Sequence, residues 1–316
     1  MTRPALRTTS FAMKQFFLTM AGVFAGLLLF FLISMVIVFG MIGAAISSAS
    51  SSETASAHTV LELDLRGGVT DQAPTNPFAI FGGSGLSTMQ IVDTLAQAED
   101  DDRVKALLIR LPEAGITPAA ADEIRQAIRR VRRSGNVVRP HSQGSQPVGA
   151  TVSSYMIGAS ASELWMQNTA GFQLAGFSAD SVFLGRAFDK YGVNAEFEQR
   201  YEYKNAVNEY TESDFTPAHR EAMTAWMTSI YTSALANAAQ DRRTTPAALR
   251  ATIEAGPYSS AQALQRRLID KIGQVEEAEA EAKRRAGRNA EIMEFGDYAA
   301  SRGERAGSGR NAIAIV

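Results

Sequence analysis

The chain has 316 residues, 46% hydrophobic and 20% charged, which supplies enough apolar material for a folded core and excludes a disordered or collagen-like polypeptide. Against 31 Lys and Arg stand 33 Asp and Glu, a net charge of -2, so no basic field exists to hold a nucleic acid. Cysteine is absent and the 3 histidines, His58, His141 and His219, lie far apart, so no thiol nucleophile, disulfide framework or thiolate metal site can be built; neither metal nor cofactor is expected.

From Phe16 to Ile46 the chain carries no charge. Roughly 20 apolar residues suffice to cross a bilayer core, so this run predicts a transmembrane anchor over residues 16–46. Arg3, Arg7 and Lys14 precede it and the next basic residue is Arg66. That asymmetry puts residues 1–15 in the cytoplasm and the remainder outside it, periplasmic or extracytoplasmic, on a single-pass protein of the inner (cytoplasmic) membrane. A cleaved signal peptide is the rival, since Ala55-Ser56-Ala57 has the form of a cleavage site. An h-region of about 7 to 15 residues is much shorter than this run, which favours the anchor. Residues 47–58, rich in Ser and Ala, read as a stalk, and residues 59–300 as one domain.

Within that domain, strand-like runs alternate with amphipathic helical patterns, as in an α/β fold with a mainly parallel sheet. Val60 to Leu65 is the first strand. Pro74, Pro77 and Gly82 to Gly85 form a loop without the order of a phosphate-binding motif. Ser87 and Gln90 then open a helix bearing Ile91, Leu95 and Ala98. Val104 to Leu111 is a buried strand, and Thr117-Pro118 begins a helix with Ala121, Ile124, Ile128 and Val131 inward, stopped at Gly135. Its arginines, Arg125, Arg129, Arg130, Arg132 and Arg133, read as a solvated face complementing the helix dipole.

Val137 to His141 and Leu164 to Met166 predict strands, with a helix from Val148 to Ser160 between them. A helix over Ala179 to Tyr191 and a strand over Asn194 to Phe197 follow. Thr216-Pro217 introduces a long helix to about Gln240, with Met223, Trp226, Met227 and Ile230 as core residues. Further helices start near Thr245-Pro246 and Ser259, and Glu276 to Arg285 reads as a solvated helix. Residues 301–316 read as a Gly-rich linker and the opening strand, Ala312 to Val316, of a second domain; a last strand of the same sheet is the alternative.

The parts of a zinc peptidase or a Ser-His-Asp hydrolase are missing: there is no H-E-x-x-H and no G-x-S-x-G. His141 and His219 remain isolated bases without a recognised partner. One segment stands out, Arg200-Tyr201-Glu202-Tyr203-Lys204-Asn205-Ala206-Val207-Asn208, between a strand-like and a helical stretch. A single loop lysine is ordinarily solvated.

The order from Gly176-Phe177-Ser178 through Lys190-Tyr191-Gly192-Val193 to Tyr203-Lys204-Asn205-Ala206 resembles the lysine-bearing half of the signal peptide peptidase A (protease IV) family. The resemblance extends to VKALLIRL from Val104, to Ser142-Gln143-Gly144 through Leu164-Trp165, and to ALQRRLIDKIG from Ala263. It implies a Clp protease/crotonase-like α/β spiral, assembly into a homo-oligomeric ring, and membrane-associated cleavage of signal peptides or other peptide substrates by a Ser nucleophile and a Lys base. Lys204 is the base that the resemblance implies. A lysine with a reference pKa of about 10.4 serves only if desolvation or neighbouring cations lower it.

In the family's long form the N-terminal half supplies the Lys and the C-terminal half the Ser. Aligning Thr151-Val152-Ser153-Ser154-Tyr155 on the nucleophile segment puts Val152 at the place of the serine, and Leu111-Pro112-Glu113-Ala114-Gly115 lacks the Gly-Gly pair of the oxyanion hole. The expectation is therefore a membrane-anchored serine endopeptidase to which this chain contributes anchor and Lys204 and lacks the serine half. Ser153 or Ser154 as displaced nucleophile is the variant of that reading. A non-catalytic, ring-forming membrane scaffold or peptide-binding protein is the alternative from another class, and an acyl-CoA enzyme of crotonase type is disfavoured by the anchor.

Overall fold

This computed structural model describes residues 8–49, 55–72, 85–112, 115–143 and 151–302. The chain divides into two compact units, residues 1–53 and 54–316. The first contains helix α1, Thr8–Ala49, whose stretch Met13–Gly40 is long and apolar enough to cross a membrane. Those 28 residues rise about 42 Å at about 1.5 Å each, more than the roughly 30 Å hydrocarbon core.

The second unit is an α/β body. Strands β1 (Thr59–Asp64), β2 (Val104–Arg110), β3 (Val137–Ser142), β4 (Trp165–Met166), β7 (Lys271–Ile272) and β8 (Glu291–Glu294) form one sheet, all pairs parallel, in the order β7-β4-β3-β2-β1-β8. A two-stranded antiparallel ladder joins β5 (Gly171–Phe172) to β6 (Tyr258–Ser259). The helices are α2 (Thr88–Glu99), α3 (Pro118–Arg133), α4 (Val152–Ala159), α5 (Gly185–Tyr191), α6 (Asn208–Thr211), α7 (Pro217–Asp241), α8 (Pro246–Glu254), α9 (Ser260–Gln265), α10 (Val275–Ala286) and α11 (Phe295–Arg302).

The central strands are buried on both faces, as parallel sheets require. Leu61, Leu63, Leu107 and Ile109 join the large core with Ile91, Leu95, Ile124 and Ile128 of α2 and α3. Val60, Ala106 and Leu108 point the other way, onto Ala278, Ala282 and Ala286 of α10. Small residues on α10 let that helix lie close to the sheet, so the Glu276 to Arg285 helix is half core-facing rather than only solvated. Burying each large aliphatic side chain in these layers stabilises the fold by about 1.5 to 3 kcal/mol.

The first strands and helices match the sequence expectation to within a residue or two, and the capping box at Ser259 and Gln262 is present in both directions. Four further expectations need correction. The helix over Ala179 to Tyr191 forms only from Gly185, because the Leu184 and Gly185 amides donate to the carbonyls of Glu209 and Glu212 at 2.7 and 3.1 Å instead of lying in a free helical turn. Glu212 O passes so close that a Cβ on residue 185 would stand 2.5 Å from it, which is why glycine occupies the position. Asn194 to Phe197 forms no strand; Phe197 stacks on Tyr210, ring centroids 5.2 Å apart, and no described strand pairs with it.

Trp226 is 58% exposed, not core: α7 buries its C-terminal half, Ala234, Leu235, Ala238 and Ala239. Nor is the arginine face wholly solvated, since Arg125 is buried and its Nε donates to Asp241 at 2.6 Å, tying α3 to α7. The loop of Pro74, Pro77, Gly82 and Gly83, Val148 at the expected helix start, and Ala312 to Val316 lie outside the described residues.

His141 ends β3 in a buried position, its Nε2 3.1 Å from Gly273 O and its Nδ1 unpartnered among the described residues. Burial lowers its pKa, opposed by the bond to Gly273, with Arg110 and Arg66 adding to the lowering and Glu276 opposing it. The unfolded chain therefore binds more protons than the native one, and stability rises with pH through this group. Its contribution is complete above the unfolded value of about 6.5 and is lost as pH falls from there towards the depressed native value. Chemical denaturation as a function of pH should show that slope, and His141→Gln should flatten it; an unchanged slope in the variant would locate the titration elsewhere.

Candidate functional site

Helix α4 begins immediately after a parallel bridge between Thr151 and Ala175, so its first turn stands against the backbone that follows β5. Val152 is its first residue. It sits in the floor of a cavity of about 590 Å³ walled by Gln173 to Phe177, by Thr224, Met227 and Tyr231 of α7, and by Arg250 and Glu254 of α8. Arg250 bonds Glu254 at 2.7 Å and lies 5.8 Å over the Tyr231 ring. The cavity is thus lined by apolar and aromatic side chains and by a charged pair, with the chain of residues 173–177 along one side.

Ser153 and Ser154 do not face that cavity. Ser153 is fully buried and its Oγ has no hydrogen bond among the described residues; Ser154 is also buried and lines a separate apolar recess with Tyr155, Leu164, Met166 and Phe172. Below them Tyr155 donates to Leu268 O at 2.9 Å and meets Phe172 edge-on at 5.5 Å; burial pushes its hydroxyl pKa up, so it stays neutral. This layer anchors α4 by packing and by the tyrosine bond rather than by any catalytic arrangement.

Lys204 is carried elsewhere, on the excursion between residues 178 and 216. It is exposed and precedes a single 3-10 turn, Asn205–Val207. Its amide donates to Tyr201 O at 3.2 Å and its carbonyl accepts from Gln199 Nε2 at 2.8 Å. Tyr201 takes a left-handed backbone, φ +65°, a conformation that a bulky residue adopts only when its surroundings enforce it. The buried side chain of Asn208 is the tie: its Nδ2 donates to Thr216 Oγ1 at 3.3 Å and its Oδ1 accepts from Gln199 Nε2 at 3.4 Å, linking the turn to the N-cap of α7. Tyr203 OH donates to Glu221 at 2.9 Å, which raises the phenol's pKa. Phe183, Phe215 and His219 pack edge-on against one another, at 4.8 to 6.1 Å.

The structure therefore orders the backbone of the lysine turn and leaves the amine in solvent. Among the described residues Lys204 makes no side-chain hydrogen bond or ion pair, and it does not line the cavity that Val152 floors. On the same excursion Tyr191, Val193, Phe197, Tyr201 and Tyr203 are each at least half exposed. Sequence reading missed Gln199 and Asn208 as holders of the turn and missed the cavity wall; a buried asparagine in a polar stretch leaves no periodic signal.

Residues 148–289 match peptidase family S49. The chain is 26% identical over 217 residues to Protease 4 of Salmonella typhi, covering 64% of this chain and 34% of that protein. It is 23% identical over 175 residues to the chloroplastic serine protease SPPA of Arabidopsis thaliana, covering 55% and 24%. This chain thus spans about a third or less of the length of these relatives. Among solved structures, a mutant of the 1510-N membrane-bound stomatin-specific protease is similar with a TM-score of 0.39 at 14% identity, covering 75% of this chain and 95% of that one. The catalytic domain of ClpP from Plasmodium falciparum gives 0.35 at 8% identity, covering 69% and 85%.

A fluorophosphonate probe for activated serine should leave Ser153 and Ser154 of the purified chain unlabelled, since both are buried away from the cavity. Stoichiometric labelling of either, located by peptide mass mapping, would make this chain a complete catalytic unit.

Proposed function

We propose that this chain, whose residues 148–289 match peptidase family S49, is the anchor and lysine-bearing part of a membrane-anchored serine peptidase that degrades cleaved signal peptides and similar apolar peptides. Lys204 is the general base. The nucleophile comes from a serine-bearing half that covers the Lys204 turn. The observation that carries this reading is the pairing of an ordered but solvent-exposed Lys204, on an excursion rich in exposed aromatic residues, with a valine at the nucleophile position of α4.

In this reading the covering half removes water from the lysine, which disfavours the ammonium form and yields a neutral amine near working pH. The amine accepts the serine hydroxyl proton as the oxygen attacks the peptide carbonyl. It returns that proton to the leaving amine, and the acyl-enzyme is then released by water activated in the same way. Gln199 and Asn208 hold the backbone of the turn by their side-chain hydrogen bonds and so fix the point from which the Lys204 stem leaves it. The cavity at Val152 receives a flanking stretch of the peptide along residues 173–177, while the bond to be cut reaches the serine at the Lys204 turn. A homo-oligomeric ring of such units is the assembly proposed.

The same cavity favours a second reading, a peptide-holding scaffold that binds without cutting, because its floor offers Val152 and no hydroxyl at that position. The two part company on Lys204. In the assembly with the serine-bearing half, Lys204→Ala should reduce kcat by about 10² to 10⁴ or more with oligomer size and peptide binding unchanged. Lys204→Arg should be almost as inactive, because a guanidinium stays protonated. Near-normal turnover in either variant would remove Lys204 from the mechanism and leave the scaffold.

Helix α1 is proposed as the anchor, N-terminus in the cytoplasm and body outside it. The full chain should remain in the membrane pellet after alkaline extraction, and a reporter fused after Val316 should be active only on the extracytoplasmic side. A soluble product beginning near His58 would show a cleaved signal instead.

A further inference from the structure

Away from the lysine turn, a cavity of about 480 Å³ is lined by Arg132 of α3, Ala159 and Ser162 at the end of α4, Arg242 and Arg243 after α7, Arg267 after α9, and the carboxylates of Asp241 and Asp270. Both carboxylates are already engaged. Asp241, its side chain 2% exposed, is held by Arg125 and Arg129 from α3. Asp270 accepts two hydrogen bonds from Arg242, at 2.7 and 3.0 Å, and one from the Leu164 amide at 2.8 Å. Arg132 is fixed at the wall by donating to the carbonyls of Ser160 and Ala161 at 2.7 and 3.1 Å.

Arg243 and Arg267 remain. Both are at the cavity mouth, and among the described residues neither guanidinium has a hydrogen bond or an ion pair. Each follows a helix in the left-handed conformation, φ +55° and +58°, where glycine is the unstrained choice. The helix C-termini that end here favour cations in general, and one arginine per end would meet that demand. Here the cavity holds more guanidinium than its own carboxylates consume, in a chain whose overall charge is -2.

We propose that this cavity is a binding site for a phosphate group, held by Arg243 and Arg267 with Arg132 as the fixed third cation. Guanidinium forks match phosphate oxygens in pairs, and several around one concavity suit a doubly charged oxyanion. The phosphate is either a free inorganic or soluble ester or an anionic phospholipid headgroup. The proposal is independent of Lys204 and of the peptidase reading.

The test is titration of the detergent-solubilised full chain with inorganic phosphate at constant ionic strength, read by calorimetry and by the shift in melting temperature. Saturable binding is expected, weakened roughly tenfold or more for each of Arg243→Ser and Arg267→Ser. Arg133→Ser, on α3 but outside the cavity, should bind as wild type. Far-UV circular dichroism establishes that each variant is folded, and the absence of native partners at both positions makes that the expected result. Repeating the titration in nanodiscs separates the sources: apparent phosphate affinity that falls when phosphatidylglycerol replaces phosphatidylcholine supports the headgroup, and affinity that does not change supports the soluble group. Absence of saturable binding, or equal weakening by Arg133→Ser, overturns the proposal in favour of unspecific charge.

Discussion

Burial of β1 and β2 on both faces is the constraint on which the rest of the body depends. Val60 and Leu108 face α10 while Leu61 and Leu107 face the larger core, which requires the parallel pair β1 and β2 to hold its register and to be covered by helices on each side. That arrangement sets where β3 and β4 end. On the crossover between those two strands, α4 begins at Val152 with its first turn against residues 173–177. The cavity at Val152 is thus a consequence of the sheet's crossover geometry, with α7 and α8 completing its walls.

The excursion from residue 178 to 216 obeys a different logic. It lacks a ladder or an aliphatic core of its own. It is held by aromatic contacts, by the backbone crossing at Gly185 and by the Gln199, Asn208 and Thr216 hydrogen bonds. Such a segment has defined backbone directions and a wet surface. On the proposed reading, a lysine there acts as a base only once a partner covers it. Val152 and Lys204 thus differ in setting: Val152 is fully buried at the start of α4, and Lys204 stands exposed on the excursion.

Helix termini carry much of the remaining polar chemistry. Arg125, which by its place in an arginine-rich helix reads as solvated, is drawn into the α3 and α7 contact because Asp241 ends α7 at that point. Its neighbours Arg129 and Arg132 are used in the same way, on a carboxylate and on two carbonyls. Identical residue types at similar spacing thus divide into ties and free cations, and the division depends on which helix ends opposite each one.

Much of this was legible in the residues alone. The uncharged run from Phe16, the β-branched and Leu-rich strands and the Thr-Pro and Ser-x-x-Gln helix starts follow from local chemistry, because burial periodicity, capping and charge are properties of neighbouring residues, whereas Lys204 was singled out by the family resemblance and not by its neighbours. A two-residue strand such as β7 carries almost no period, and Gly171–Phe172 and Tyr258–Ser259 form a ladder only because the fold brings them together. The exposure of Trp226, the late start of α5 at Gly185, the burial of Arg125 and the tie of Asn208 to the lysine turn were decided by tertiary structure, since each depends on a partner distant in sequence or on its absence. Sequence by itself determined which side chains are able to act; the fold decided which are covered, which are paired and which stand free, because desolvation and hydrogen bonding are set by neighbours in space.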